Sequence, residues 1–408
     1  MYKKLIFILI FIPFFLQSQT QIGVDIDGKL AGDQLGWSTA ISNDGSIIAV
    51  GASGVISNKG YVKVYKNENN NWIQQGNDII GDNIGDFFGH TLSISNDGLI
   101  LAIGAYGANN NSGLVKVYKF NNNNWSQLGS TILGENIALN LTGTPQPNLE
   151  FGYSLDINSD GTILAIGAPK AKLDLHSTSD IINCGVVGIY NFENNDWKLD
   201  NEIFGEAEED NSGNAVSISG DGTILVIGAA NNDGNGNNSG HARIYKHENN
   251  SWNVYGEDIN GEAAYDLSGF SVSLSKNGNR VAIGATTNDG DDGNDIDSGH
   301  VRLYEDGVSS INKWFSSWND YDGEASVDQF GYSVSLSNDG YILAVGSIDN
   351  DDNGSKSGHV RIFTNYERAE QIGIDIDGEA SGDQSGFSVS ISGDGTKVII
   401  GAPFNDGN

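Results

Sequence analysis

The sequence predicts an all-β protein, a seven-bladed β-propeller of four-stranded antiparallel blades with the last blade incomplete. Three observations carry this. One segment recurs seven times, as LGWSTAIS (35–42), FGHTLSIS (88–95), FGYSLDIN (151–158), SGNAVSIS (212–219), SGFSVSLS (268–275), FGYSVSLS (330–337) and SGFSVSIS (385–392). The copies are spaced 53, 63, 61, 56, 62 and 55 residues apart, a period that suits propeller blades and repeat arrays. Period-2 alternation dominates, and no helical periodicity stands out beyond the first residues.

Each copy reads as four strands. The first is the alternating segment itself, as in Ser333 to Ser337. A short turn ending in Gly follows (Gly45, Gly98, Gly161, Gly222, Gly278, Gly340, Gly395). Asp-Gly or Asn-Gly between two apolar runs signals a hairpin, because both central residues must accept positive φ. The second strand, as in Ile342 to Gly346, is apolar on both faces, as expected of a strand buried between neighbouring blades. Its repeated Gly-Ala (Gly51-Ala52, Gly104-Ala105, Gly167-Ala168) suits a close approach of backbones. The third strand begins at Tyr61, Leu114, Val186, His241, His300 and His359. A polar hairpin leads to the fourth, which carries Trp72, Trp125, Trp197 or Trp252 in its copy. The fifth copy has Trp314 and Trp318 more loosely placed, and the sixth has no Trp there.

The ends complete the pattern only in part. QIGVDIDG (21–28) matches a fourth strand, nearly identical to QIGIDIDG (371–378). The sequence stops at Asn408, in the loop after the seventh second strand. The N-terminal segment is therefore expected to close the ring as the seventh copy's fourth strand, which removes exposed edges. One strand is still missing, so a fragment or a defective seventh blade is expected.

Residues 1–18 read as a signal peptide. Lys3 and Lys4 precede an apolar run, Leu5 to Leu16, which is too short for a permanent span. The 408 residues carry 53 acidic and 21 basic side chains, a formal charge of −32. Such acidity argues against a nucleic-acid partner, which needs clustered Lys and Arg, and against anionic lipid. The single Cys184 excludes a disulfide scaffold. The mature chain is expected to be secreted or at the cell surface, monomeric, and not inserted in a membrane.

These residues resemble the FG-GAP repeat family, the propeller repeats of integrin α subunits and many secreted bacterial proteins. Phe88-Gly89, Phe151-Gly152 and Phe330-Gly331 carry the first half of the motif, and Gly167-Ala168-Pro169 and Gly401-Ala402-Pro403 the second. The resemblance implies a seven-bladed propeller used in extracellular binding or adhesion, often with calcium. The family's calcium loop lies between first and second strands. Here that turn is only Ser-Asn-Asp-Gly or a variant, too poor in carboxylates for an ion that takes six to eight oxygens.

The acidic residues lie instead between second and third strands. Copy six has Asp349, Asp351 and Asn353 before Gly354. Copy four has Asn231, Asp233 and Asn235 before Gly236, and copy five Asp289, Asp291 and Asp295. Oxygen side chains at alternate positions with Gly at the sixth open an EF-hand-type loop, which makes these the candidate Ca²⁺ ligands. The bland alternative is a solvated turn. A second repeated acid, Asp33, Asp86, Asp210, Asp266, Asp328 and Asp383, is read as accepting backbone N–H groups in the turn entering the first strand. In a four-strand meander both acidic sets fall on one face of the disc, and so do the two irregular insertions of copy three, 139–150 and 170–184. The six histidines and Cys184 read as packing residues.

The expectation is a secreted non-catalytic binding module, for cell-surface adhesion or for glycan or protein recognition, assisted by calcium. The alternatives are an accessory propeller of a larger secreted enzyme or surface protein whose C-terminal part is missing, and a propeller-fold glycan lyase or hydrolase.

Overall fold

The computed structural model describes residues 19–30, 32–54, 59–137, 146–174, 180–290, 296–307, 314–366 and 369–405. The signal peptide expected at residues 1–18 lies outside them. Each repeat folds as an antiparallel meander. In blade 1, Leu35–Ile41 pairs with Ile47–Ala52, and that strand with Tyr61–Glu68. The third strand pairs with Asn71–Gln74 and then Ile79–Ile80. Four blades split the fourth strand in this way. Gly76, Gly129, Gly256 and Gly373 stand at the splits, each with positive φ. Blades 3 and 5 lack that Gly, and their fourth strands, Asp196–Phe204 and Trp314–Asp322, run through.

The turn between first and second strands is one device reused. Ser42 Oγ donates to Asp44 and accepts from the Ile47 N–H, while Asp44 Oδ1 takes the Ser46 N–H. Ser95–Asp97, Ser219–Asp221 and Ser392–Asp394 repeat it. The Asp of this turn therefore fixes the hairpin.

The expected blade count is corrected from seven to six. Six sheets have four or five strands, while the seventh copy forms only a two-stranded sheet, Ser388–Ile391 with Val398–Gly401. No third strand covers its edge among the described residues. Val398 to Ile400 are accordingly half-buried, whereas the equivalent strands Ile47–Ala52 and Ile224–Ala229 are buried throughout. The two-stranded remnant still closes the ring, touching Leu35–Ile41 on one side and Phe330–Leu336 on the other.

First strands of successive copies touch all round the ring and so line its axis. The apolar core lies between blades: Leu101 and Ile103 of blade 2 pack with Val62 and Val64 of blade 1, and Leu343 and Val345 of blade 6 with Val301 and Leu303 of blade 5. Polar bonds tie the same seams. Ser38, Ser154, Ser271, Ser333 and Ser388 each donate Oγ to the motif-Gly carbonyl of the next copy at 2.7–2.8 Å. Thr91 does so at 3.0 Å, and Asn214 through its amide at 3.1 Å. At the hairpin end of the axis the backbone forms a closed circle. Asn43 N–H bonds Asn96, then Asn96 to Ser159, Ser159 to Gly220, Gly220 to Lys276, Asn277 to Asn338, Asn338 to Gly393, and Gly393 back to Asn43.

The N-terminal segment takes the seventh copy's fourth-strand place. Trp125, Trp197 and Trp314 each donate their indole N–H to a carbonyl in the preceding fourth strand, Gln75, Leu128 and Tyr255. Trp72 does the same to Ile22. Gln19 sits where a Trp would, and its amide bonds the carbonyls of Ile372 and Ile374.

Candidate functional site

The loops joining second to third strands and those joining blades share one face, as the alternation of a meander requires. Asn235 Nδ2 donates to the Gly261 and Glu262 carbonyls of the following inter-blade loop. Asn353 repeats this on Gly378 and Glu379. On the same face Gln146 bonds Lys172 through both amide atoms, clamping the two copy-three insertions together.

The candidate calcium ligands are placed as loop-forming groups. Asp233 Oδ1 accepts the Asn238 N–H and Asp351 Oδ1 the Lys356 N–H, each at 2.7 Å. Asn231 accepts from Asn211. Asp289 accepts the Asp297 N–H. Asp349 is buried and takes Lys356 Nζ at 2.8 Å, with Gln329 and Gln384 at 3.0 and 3.2 Å. Asp291 and Asp295 lie outside the described residues.

The repeated Asp before each first strand does what its Asx reading implies. Asp33 Oδ2 accepts Lys29 N–H, Leu30 N–H and Tyr61 O–H, each at 2.8 Å. Asp86, Asp210, Asp266, Asp328 and Asp383 accept from Asn83, Ala207, Ala263, Ala325 and Ala380. All six are buried. Burial pushes the Asp266 and Asp328 carboxyls above the ordinary value, against the bonds that favour the charge.

Around the mouth of the axis on this face stands a ring whose residues share one column of the repeat alignment. The residue after each motif Gly is Trp37, His90, Tyr153, Asn214, Phe270, Tyr332 and Phe387. Every one is half-buried. Trp37 lies 4.5 Å from Phe387 and 5.7 Å from His90, ring centre to ring centre. His90 to Tyr153, Phe270 to Tyr332 and Tyr332 to Phe387 are 5.1, 5.2 and 5.0 Å. Asn214 fills the remaining gap with its amide on the Phe270 carbonyl at 3.0 Å. Tyr106 stacks on Phe87 and packs against His90 and Tyr153. Burial drives the His90 imidazole down to about 3, so its Nδ1 accepts the Trp37 indole N–H at 3.0 Å.

The rim of this ring is strained. Gln34, Phe87, Glu150, Asn211, Leu267, Gln329 and Gln384, one before each first strand or motif Phe, have φ between +51° and +57°. L-residues with side chains rarely hold that conformation, and a surrounding structure must impose it. The following Gly turns back at φ +85° to +98°, where a side chain would be strained. Burial raises the Glu150 carboxyl above its usual range, with Lys170 opposing.

The remaining sequence candidates lie away from the axial ring. His241, His300 and His359 are buried at the start of their third strands. Cys184 is buried and free, and burial pushes its thiol up to about 11, which keeps it unreactive. No helix among the described residues is long and apolar enough to cross a membrane. A groove of about 480 Å³ lies on the outer rim between Val24–Asp27 and the fourth strand of blade 1, away from the axial ring.

The FG-GAP repeat family matches at residues 205–245 and 320–363. The first match runs from the inter-blade turn to the third strand of blade 4, and the second from the end of the blade 5 fourth strand to the third strand of blade 6. Comparison with curated proteins finds no match.

Proposed function

We propose that this β-propeller, two segments of which match the FG-GAP repeat family, is a secreted, non-catalytic recognition module whose ligand, an extracellular glycan or protein, sits on the axial aromatic ring. The observation that supports this is the half-buried circle of Trp37, Tyr153, Phe270, Tyr332 and Phe387 at the mouth of the axis. Aromatic faces offer large apolar area at low entropic cost, and Tyr and Trp are the residues that dominate recognition surfaces. The rim adds the Gln34 side-chain amide, a group that suits hydroxyl-rich or peptide ligands, while the Asn211, Gln329 and Gln384 amides hold the adjoining loops. The test is a glycan array together with a surface-protein pull-down, followed by Trp37→Ala and Tyr332→Ala. Loss of about tenfold in affinity supports the ring as the platform. A ligand whose affinity neither variant alters refutes that placement.

Calcium assistance is part of this reading and belongs to the loops of Asp349, Asp351 and Asp233. Thermal unfolding with millimolar Ca²⁺ against EDTA tests it. An ion at 100 times its dissociation constant stabilises by about 2.7 kcal/mol per site. A rise lost in Asp351→Ala supports the loop as a site, and no rise removes calcium from the reading.

A propeller-fold glycan lyase or hydrolase remains a second reading, favoured by one irregular polar cluster. Glu150, Tyr153, Tyr106 and His90 occur together in copies two and three only. Cleavage of any ligand found above, abolished by Tyr153→Phe, would establish it.

A further inference from the structure

Three consecutive blades carry the same four groups on the loop-bearing face. A Glu enters the blade, a His opens the third strand, an Arg follows two residues later, and an Asp comes from the fourth strand. In blade 4 the Arg closes the set: Arg243 bonds Asp258 through Nε and Nη2 at 2.6 and 2.5 Å and Glu206 at 2.7 Å. In blade 5 Arg302 pairs with Asp320 at 3.2 Å and with Glu262.

Blade 6 departs from this in three ways. Arg361 is drawn off: Nε and Nη2 donate to Gln371 Oε1 at 3.2 Å each, and Nη1 to the Asp322 carbonyl. It keeps an ion pair with Glu324 at 3.3 Å and lies farther from Asp375, at 3.8 Å. A further carboxylate arrives from the loop between second and third strands, where Asp352 replaces Gly234 of blade 4 and Gly290 of blade 5. Finally, His359 is fully buried, and neither ring nitrogen has a hydrogen-bond partner among the described residues. Nδ1 lies 4.0 Å from Asp352 Oδ2. An unpartnered polar group in an interior is costly and calls for an explanation.

The donor atoms of Glu324, Asp352, His359 and Asp375 all lie within 4.8 Å of one another. We propose that these four residues bind a divalent transition-metal ion of the zinc class. Bonds of about 2.0–2.2 Å to imidazole nitrogen and carboxylate oxygen fit a cluster of this size after small closure. An imidazole among three carboxylates favours zinc-class ions, whereas calcium takes six to eight oxygens at longer range. Charge agrees: three carboxylates and one guanidinium leave −2, which the ion neutralises. The ion would join four segments of blade 6: the inter-blade turn, the loop, the third strand and the fourth. This inference does not depend on the calcium reading, since Asp352 is not one of the residues assigned there.

The test is titration of the metal-free protein with ZnCl₂ in millimolar CaCl₂, with X-ray absorption on the zinc-loaded form. One equivalent binding below micromolar, with one imidazole in the shell, is expected. Asp352→Asn, at an exposed side chain, should weaken binding at least about tenfold, the scale on which even supporting groups of metal sites act. Asp258→Asn in blade 4 should change nothing. His359→Gln should remove the imidazole signal; if it fails to fold, Asp352→Asn and the absorption spectrum of the parent decide. Zinc bound as tightly by Asp352→Asn, a shell without imidazole, or no binding stronger than millimolar overturns the site. Asp351→Ala with calcium reports on the other reading alone.

Discussion

Gly401 meets Gly36 back to back. A Cβ on Gly401 would lie 1.9 Å from the Gly36 carbonyl oxygen, the atom to which Ser388 Oγ donates at 2.8 Å. The same pairing joins Gly51 to Gly89, Gly104 to Gly152, Gly167 to Gly213, Gly228 to Gly269, Gly284 to Gly331 and Gly346 to Gly386. The two glycines of the repeat motif are thus two sides of one seam, contributed by neighbouring copies. At Gly401 that seam joins residues 365 positions apart and closes the ring.

Gly401→Ala should therefore open the closing seam. The obstacle is backbone, which cannot step aside, so overpacking should cost about 1–3 kcal/mol or more. Gly85→Ala is the control: its Cβ meets nothing within 4 Å, and only the strain of φ +87°, about 1 kcal/mol, remains. Chemical unfolding of both variants measures the difference. Equal losses would show that the seam is not what Gly401 protects.

Asp33→Ala should orphan three donors, the N–H groups of Lys29 and Leu30 and the Tyr61 hydroxyl. A loss of about 1–3 kcal/mol is expected, with most of it recovered in Asp33→Asn, which keeps an acceptor oxygen. Unfolding midpoints of the two variants check this.

His90 makes the fold acid-sensitive. Its folded value, about 3, lies below the ordinary 6.5 because it is buried. The unfolded chain therefore takes up the proton first. Stability from this group is present above about pH 6.5 and is lost as pH falls from there toward 3, by at most about 1.4 kcal/mol per pH unit. His90→Phe, the residue type of Phe270, should flatten that slope. Thermal unfolding between pH 7 and 3.5 would show parallel curves if His90 does not contribute.

Gln19 holds the N-terminal segment against the fourth strand of blade 6. Gln19→Ala should release that segment, with faster proteolysis before Trp72 and a stability loss of about 1 kcal/mol. Gln19→Trp restores the indole donor of the other blades and should protect the segment. Identical digestion of all three proteins would deny Gln19 this role.

Much of the scaffold was legible because the repeat supplies its own alignment. The seven copies fixed the strands, the hairpins and the Asx role of Asp33 and its equivalents, since local turn chemistry recurs with local sequence. The column after each motif Gly holds Trp37, His90, Tyr153, Asn214, Phe270, Tyr332 and Phe387 in the repeat alignment, but that these side chains meet does not show there. The blade 6 cluster was not legible. Asp352 looks like one more acid in an acidic loop, and Arg361 looks like Arg243.

The sequence by itself determined the repeat, the meander and the face on which the loops fall, because hydrophobic period and turn residues act over a few residues. Tertiary structure alone decided how the two-stranded seventh copy closes the ring and where side chains 50 to 350 residues apart converge. A ring brings equivalent positions to one axis. There the neighbours of each side chain are set by closure geometry, and a single departure such as Gln371 beside Arg361 can redirect a whole cluster of charges.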